Sequence, residues 1–71
     1  MRYAVIFEQS TTGYGAYVPD LPGCVATADS IDETRQLIRE AIELHLADMR
    51  ATGQPTPQPT SLCEYAEIEM Q

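Results

Sequence analysis

Residues 14–34 read YGAYVPDLPGCVATADSIDET, and this stretch decides the fold. Residues 14–18 and 24–28 are short runs without helix-type periodicity, and we predict a strand in each. Between them, Pro22 and Gly23 suit the two central positions of a type II turn, because proline presets φ and glycine supplies a positive φ. Residues 30–33 then form a capping box, in which a serine and a glutamate satisfy the first backbone amides of a helix.

Upstream, residues 2–8 are rich in β-branched and aromatic residues and are apolar on both faces, so we place this strand centrally in a sheet. Residues 9–13 are a polar loop of hairpin length, which completes a three-stranded antiparallel meander. Gly15 leaves a gap in one face of the second strand and suggests a close backbone approach there.

Downstream, the helix is predicted from Ile31 to about Ala51, with Gly53 in the C′ position. A proline-alternating connector, residues 54–60, then favours extended polyproline II structure. Residues 62–70 alternate in polarity and predict a last strand. The fold class is therefore α+β, with order β-β-β-α-β. A right-handed crossover would place the fourth strand parallel to the first, giving strand order 3-2-1-4 with the helix on one face.

The predicted helix has an apolar arc wider than one small sheet can cover. Part of that arc is expected to meet another subunit, and the flanking residues Leu37, Leu44 and Leu46 are the candidate oligomer interface. We expect a homodimer or homotetramer, a choice that the sequence leaves open.

The charge composition limits the classes of macromolecule that this protein is expected to bind. The 71 residues include eleven acidic residues, four arginines and no lysine, for a net charge of −7. Nucleic-acid binding depends on basic residues against phosphates, so direct DNA or RNA binding is not expected. A basic protein partner fits this charge, although an acid excess can also serve solubility alone. The chain is expected to form one domain, residues 1–71, in the cytoplasm, because no secretory or membrane segment is visible.

Residues that could carry catalysis are few. Cys24, Cys63 and His45 are too dispersed to predict a zinc site or a nucleophile–base pair, so we predict no catalytic residue, metal or cofactor. Glu8 ends the first predicted strand, Glu33 begins the helix, and Glu67 and Glu69 lie on the last strand, positions from which two-metal nucleases hold Mg²⁺. A residual nuclease that uses Glu8, Glu33 and Glu69 is therefore an enzymatic alternative.

Four motifs resemble the HicB-like antitoxin family, also described as the UPF0150-type domain. They are YGAYVPDLPGC at residues 14–24, ADSIDET at 28–34, EAIELHL at 40–46 and GQPTP at 53–57. The resemblance implies a partial RNase H-like fold that is not catalytic. It also implies the role of an antitoxin that binds and neutralises a small basic mRNA-cleaving toxin of the HicA type.

Many members of this family carry a C-terminal DNA-binding module, and we expect none to follow the strand predicted at residues 62–70. We expect partner binding at a loop on the rigid sheet and its nearby tyrosines: Tyr14, Tyr17, Asp20, Leu21, Pro22 and Gly23. A third hypothesis is a homo-oligomer without a toxin partner, which would self-associate but capture no basic protein.

Overall fold

The sheet is a three-stranded antiparallel meander in this computed structural model, which describes residues 1–70. Its strands are β1 (Ile6–Gln9), β2 (Tyr14–Tyr17) and β3 (Val25–Ala28), in the order β1-β2-β3. The prediction of three strands joined by short turns is confirmed. The central place belongs to β2, however, and β1 is an edge strand, because no further strand pairs with it among the described residues.

Two glycines shape the turns of the meander. Gly23 has φ 84°, and the amide of Cys24 donates to the carbonyl of Leu21 at 3.0 Å, as a type II turn requires. The close backbone approach lies at Gly13, where a Cβ atom would stand 2.4 Å from the carbonyl oxygen of Ala28. At Gly15 the nearest atom to such a Cβ is a methyl carbon of Thr27 at 3.8 Å. The expectation of a close approach at Gly15 was therefore wrong by two residues.

The helix α1 (Ile31–Ala51) begins and ends as its sequence predicts. The Ser30 hydroxyl accepts from the amide of Glu33 at 3.1 Å, as predicted, but the Glu33 carboxylate accepts from the Ser30 hydroxyl and not, as the capping box predicts, from the Ser30 amide. At the other end Gly53, with φ 75°, donates to Arg50, and Gln54 donates to Met49. This pair of bonds is a Schellman motif, in which a left-handed glycine satisfies the last carbonyls of a helix.

One face of the sheet packs against α1, which lies mainly over β2 and β3. The buried core consists of Ala16, Val18, Leu21, Cys24 and Ile38. Half-buried residues from the start of the chain and from the helix pack around it. The other face of the sheet, which we call the open face, is covered by no helix or strand among residues 1–70.

The predicted fourth strand is absent from the described residues. Residues 62–70 have no regular secondary structure, and no backbone hydrogen bond joins them to β1. The segment is nevertheless next to the first strand, since the sulfur of Cys63 lies 3.9 Å from the carbonyl oxygen of Val5. A gap of about 320 Å³ separates the two stretches.

Candidate functional site

Asp20 joins the β2–β3 connection to the end of the proline-rich connector. One carboxylate oxygen accepts from the backbone amides of Thr60 and Ser61, at 2.9 and 3.0 Å. The other accepts from the two hydroxyls, at 3.2 Å for Thr60 and 2.8 Å for Ser61. We call this arrangement the Asp20 clamp. Its four bonds engage both oxygens of the carboxylate, so the group predicted to contact a partner is occupied inside its own chain.

The clamp changes the acidity of Asp20. Hydrogen bonds from the backbone and then the side chain of Ser61 lower the pKa of this carboxyl below its ordinary value of 3.8. Bonds from Thr60 act in the same direction, and partial desolvation opposes them. Donors that favour the charged form lower a carboxyl pKa. Asp20 is therefore an anion that binds the chain's own amides and hydroxyls.

The other residues of the predicted contact loop divide between core and surface. Leu21 has 0% of its surface exposed and packs in the hydrophobic core. Pro22 and Gly23 are exposed at the tip of the type II turn. The turn therefore offers backbone and proline surface to a partner, whereas Leu21 holds the turn to the domain.

The two predicted contact tyrosines lie on opposite faces of the sheet. Tyr14 and Ala16 alternate onto the face that packs against α1, whereas Tyr17 is on the open face and is 40% exposed. Tyr14 also pairs with Gln9 and Ala28, at the far end of the hairpin from Pro22. A single flat contact therefore includes Tyr17 and the turn, and leaves Tyr14 out.

Tyr17 is the centre of an apolar row across the open face. It pairs with Ile6 on β1 and with Val25 on β3, so the three side chains stand side by side. Val25 is 62% exposed and Ile6 is half-buried. Ile6 and Val25 were not among the residues predicted to contact a partner. They are identified once the strand register is known, because residues directly opposite each other in paired strands share one face of the sheet.

The three leucines predicted at an oligomer interface also differ in exposure. Leu37 and Leu44 are exposed on α1, and Leu44 lines a groove beside the start of β3. Leu46 is half-buried and packs against the core. Leu37 and Leu44 are thus available to another molecule, whereas Leu46 serves mainly the fold of its own chain.

The residues considered for catalysis are not arranged for it. Among residues 1–70, no group of three or more histidine, cysteine or acidic side chains could hold a metal ion, and Glu8, Glu33 and Glu69 are not brought together. Cys24 and His45 line the same groove, but burial raises the pKa of the Cys24 thiol. A nucleophilic cysteine needs the opposite shift.

No helix within the described part of the chain is long and apolar enough to cross a bilayer. The accessible features of the described residues are a sheet face with an apolar row and an exposed turn at its end, in a chain of net charge −7. Such features suit contact with another protein better than chemistry on a small molecule.

The chain matches one family model and is similar in sequence to several known proteins. The family model described as "HicB_like antitoxin of bacterial toxin-antitoxin system" matches residues 3–70. A UPF0150 protein of Helicobacter pylori is 46% identical over 51 residues, covering 72% of this chain and 71% of that protein. A UPF0150 protein of Archaeoglobus fulgidus is 45% identical over 47 residues, covering 65% and 68%.

Two further matches concern a longer protein and a solved structure. An uncharacterised 14.9 kDa protein of Haemophilus phage HP1 is 31% identical over 65 residues, which are 92% of this chain but 49% of that protein. A chain of the "HicA3 and HicB3 toxin-antitoxin complex" superposes with a TM-score of 0.71 and 23% identity, covering 83% of this chain and 70% of that chain. This structural likeness extends to the α+β fold of sheet and helix.

Proposed function

The chain belongs to the HicB-like antitoxin family of bacterial toxin–antitoxin systems, and on this premise we propose that it binds and neutralises a small basic HicA-type toxin that cleaves mRNA. The proposed action is stoichiometric masking in the cytoplasm, without catalysis and without direct contact to nucleic acid. A HicA and a HicB protein occur together in the complex whose chain shares this fold, which supports the choice of partner.

The observation that carries the proposal is the exposed apolar row on the open face. Ile6, Tyr17 and Val25 stand together on a sheet face that no helix or strand covers among residues 1–70, with Tyr17 and Val25 exposed and Ile6 half-buried. Pro22 and Gly23 extend the same end of the hairpin. Tyrosine is enriched at the centre of protein interfaces, where an aromatic ring is desolvated and its hydroxyl keeps a polar partner. We therefore propose Tyr17 as the central toxin contact.

Charge supports the same partner. The net charge of −7 attracts a basic protein and repels RNA, so the antitoxin and the toxin's substrate would compete for one positive surface. Complementary charge mainly raises the rate of encounter, and the apolar row would then slow dissociation. The complex should accordingly associate more slowly in high salt while its dissociation rate changes little.

The proposal is tested by titrating the toxin's RNA cleavage against this chain. The toxin is the small basic protein that copurifies with the full chain from its native cell. We expect complete inhibition near a 1:1 ratio of chains, and at least about tenfold weaker inhibition for Tyr17→Ala. Leu37→Ala is the matched control, because it also removes an exposed apolar side chain but from the helix. Equal loss in both variants, or inhibition unchanged by Tyr17→Ala, contradicts the proposed surface.

The family fold also bears on residues 62–70. We propose that this segment becomes the fourth strand of a partial RNase H-like arrangement when it pairs with a β1 edge. Its alternating polarity supports a strand with one apolar side.

A second candidate function is a homo-oligomer without a toxin partner, and exposed Leu37 and Leu44 favour self-association. Under this alternative the chain would self-associate as a homodimer or homotetramer, and no basic protein would copurify with it.

A further inference from the structure

Gly15 is a glycine that the fold of the chain does not itself require. It lies inside β2, where glycine stabilises a strand less well than alanine does. Its φ is not positive, and the strand register runs through it without a bulge. A Cβ atom built there would meet only a methyl carbon of Thr27 at 3.8 Å and the carbonyl oxygen of Ala26 at 3.9 Å. A further reason for a glycine in a strand is the close approach of another molecule.

The missing side chain leaves space in the open face of the sheet. Gly15 pairs with Glu8 on β1 and with Thr27 on β3, so these residues form the row next to the apolar row of Tyr17. Glu8 and Thr27 are exposed on either side of the glycine. A hollow of about 610 Å³, which we call the Gly15 hollow, is lined by this row and by the loop between β1 and β2. Because no residue of α1 lines it, the hollow opens away from the helix.

The walls of the Gly15 hollow carry acidic and hydroxyl groups. Glu8 and Asp29 supply two carboxylates, and Ser10, Thr12 and Thr27 supply hydroxyls. No basic side chain among the described residues lines the hollow, and neither carboxylate forms an ion pair with them. The hollow therefore has two negative charges that residues 1–70 do not neutralise, and a cationic group is the complementary occupant.

Two kinds of cationic occupant fit this hollow less well than a side chain does. Among residues 1–70, no group of three or more histidine, cysteine or acidic side chains could hold a metal ion, so two carboxylates are too few. A free small molecule needs a site that buries most of its surface, whereas Glu8 and Asp29 are themselves exposed. A side chain that belongs to a larger partner needs less enclosure, because the contacts around it also contribute to affinity.

We propose that the Gly15 hollow receives an arginine side chain of the toxin, between the carboxylate of Glu8 and the ring of Tyr17. Tyr17 lies two positions from Gly15 on the same face, so its ring stands beside the hollow. A guanidinium group bonds a carboxylate through two parallel N–H donors and stacks on an aromatic ring, whereas a lysine ammonium is a point charge. Without a Cβ at Gly15, the guanidinium lies directly against the strand backbone.

The apolar row makes this ion pair stronger than an exposed one. Water and salt screen a pair on an open surface, so that such a pair contributes little. When the partner covers the apolar row, water also leaves the neighbouring hollow, and the attraction between the two charges increases. Loss of the Glu8 carboxylate should therefore mainly speed dissociation of the complex. The inference rests on the proposed function and adds the chemical group of the toxin that lies beside the apolar row.

The hollow is tested first without the toxin, by nuclear magnetic resonance of the isotope-labelled full chain. Argininamide should shift the amide resonances of Glu8, Gly15 and Thr27 along one binding curve. Citrullinamide, which replaces the guanidinium with a neutral urea group of similar shape, should leave them unshifted, and lysinamide should bind more weakly. Glu8→Gln should abolish the shifts. Glu43→Gln is the matched control, because it removes the same charge from α1, outside the hollow, and should retain them.

The second test measures the affinity of the full chain for the basic protein that copurifies with it. Glu8→Gln should raise the dissociation constant at least about tenfold, and Glu43→Gln should leave it unchanged. Gly15→Val fills the hollow and should weaken binding to a similar extent, with a smaller loss for Gly15→Ala. Both substitutions place a Cβ in ordinary contact, so urea denaturation should show folded variants. The alanine variant keeps the test valid if valine disturbs the strand.

Three results would overturn the arginine assignment. They are toxin affinity that is unchanged in Glu8→Gln, argininamide shifts that persist in Glu8→Gln, and lysinamide that binds as tightly as argininamide. If no basic protein copurifies with the chain, the proposed function fails instead. The argininamide titration requires no toxin, so the two failures are distinguishable.

Discussion

The carboxylate of Asp20 accepts two hydrogen bonds from Ser61, one from the backbone amide at 3.0 Å and one from the hydroxyl at 2.8 Å. These residues are 41 positions apart, so the contact ties the β2–β3 connection to the chain beyond the proline-rich connector. Tyr3 adds a second tie, since its hydroxyl donates to the carbonyl of Pro57. The connector, residues 54–60, is thus attached at its middle and at its C-terminal end, although it contains no regular structure itself.

Removing the Asp20 carboxylate should free this attachment without unfolding the sheet and helix. In Asp20→Ala, the amides of Thr60 and Ser61 lose their acceptors, and their hydrogen exchange should accelerate by about tenfold or more. Amides within α1 should exchange at wild-type rates. Asp29→Ala is the control, because that exposed carboxylate makes no hydrogen bond with residues 1–70, and it should leave Thr60 and Ser61 protected.

The Asp20 clamp should be released in acid and should stay intact in mild base. Its hydrogen bonds lower the Asp20 pKa below 3.8, so the attached state binds a proton less readily than the released state. The stabilising contribution is therefore complete above the ordinary pKa and is lost as the pH falls through the lowered one. Amide exchange at Ser61, corrected for its intrinsic pH dependence, should be constant from pH 7 to about pH 5 and should report release only in more acidic solution.

Two glycines two residues apart should respond oppositely to the same substitution. Gly13→Ala forces a Cβ against the Ala28 carbonyl and should lower the free energy of unfolding by about 1–3 kcal/mol. Gly15→Ala meets only ordinary contact and should be neutral or stabilising by about 0.5–1 kcal/mol, because alanine loses less backbone entropy in a strand. Urea denaturation of both variants measures the difference, and similar midpoints would contradict it.

Leu21 and Leu44 provide the corresponding comparison for side-chain burial. Leu21 is fully buried, and Leu21→Ala should cost about 2–5 kcal/mol, a large share of the stability of a domain this small. Leu44 is 73% exposed, and Leu44→Ala should change the free energy of unfolding by less than about 0.5 kcal/mol. Thermal melts at a concentration where both variants are monomeric separate these values from effects on association.

Local signals in the sequence predicted most of the body. The turn at Pro22 and Gly23, the cap at Ser30 and the helix end at Gly53 were predicted correctly, because each depends on neighbours within a few residues. The strand at residues 2–8 was predicted too early and too centrally. Its regular pairing begins at Ile6, where β2 provides a partner, and residues 2–5 have none.

The candidate site was harder to predict because it depends on contacts between distant residues. In the sequence, Asp20 resembles an exposed residue that is free to contact a partner. Only the folded structure shows that Thr60 and Ser61 donate hydrogen bonds to its carboxylate. Leu21 was grouped with its exposed neighbours because binding residues are common on loops, but its apolar side chain packs in the core. Tyr14 and Tyr17 were predicted to share one contact surface, but they are three positions apart in β2. Residues an odd number of positions apart in a strand lie on opposite faces of the sheet.

The position of the Asp20 clamp also places its formation late in folding. All strand pairings and the packing of α1 lie within residues 6–51, between elements that follow one another in the chain. These contacts between neighbouring elements can form before Thr60 and Ser61 dock, because closing a short loop costs less chain entropy than closing a long one. Asp20 then lies in a formed turn when Thr60 and Ser61 reach it, so the slow search for a distant partner becomes the docking of a short connector on a folded body.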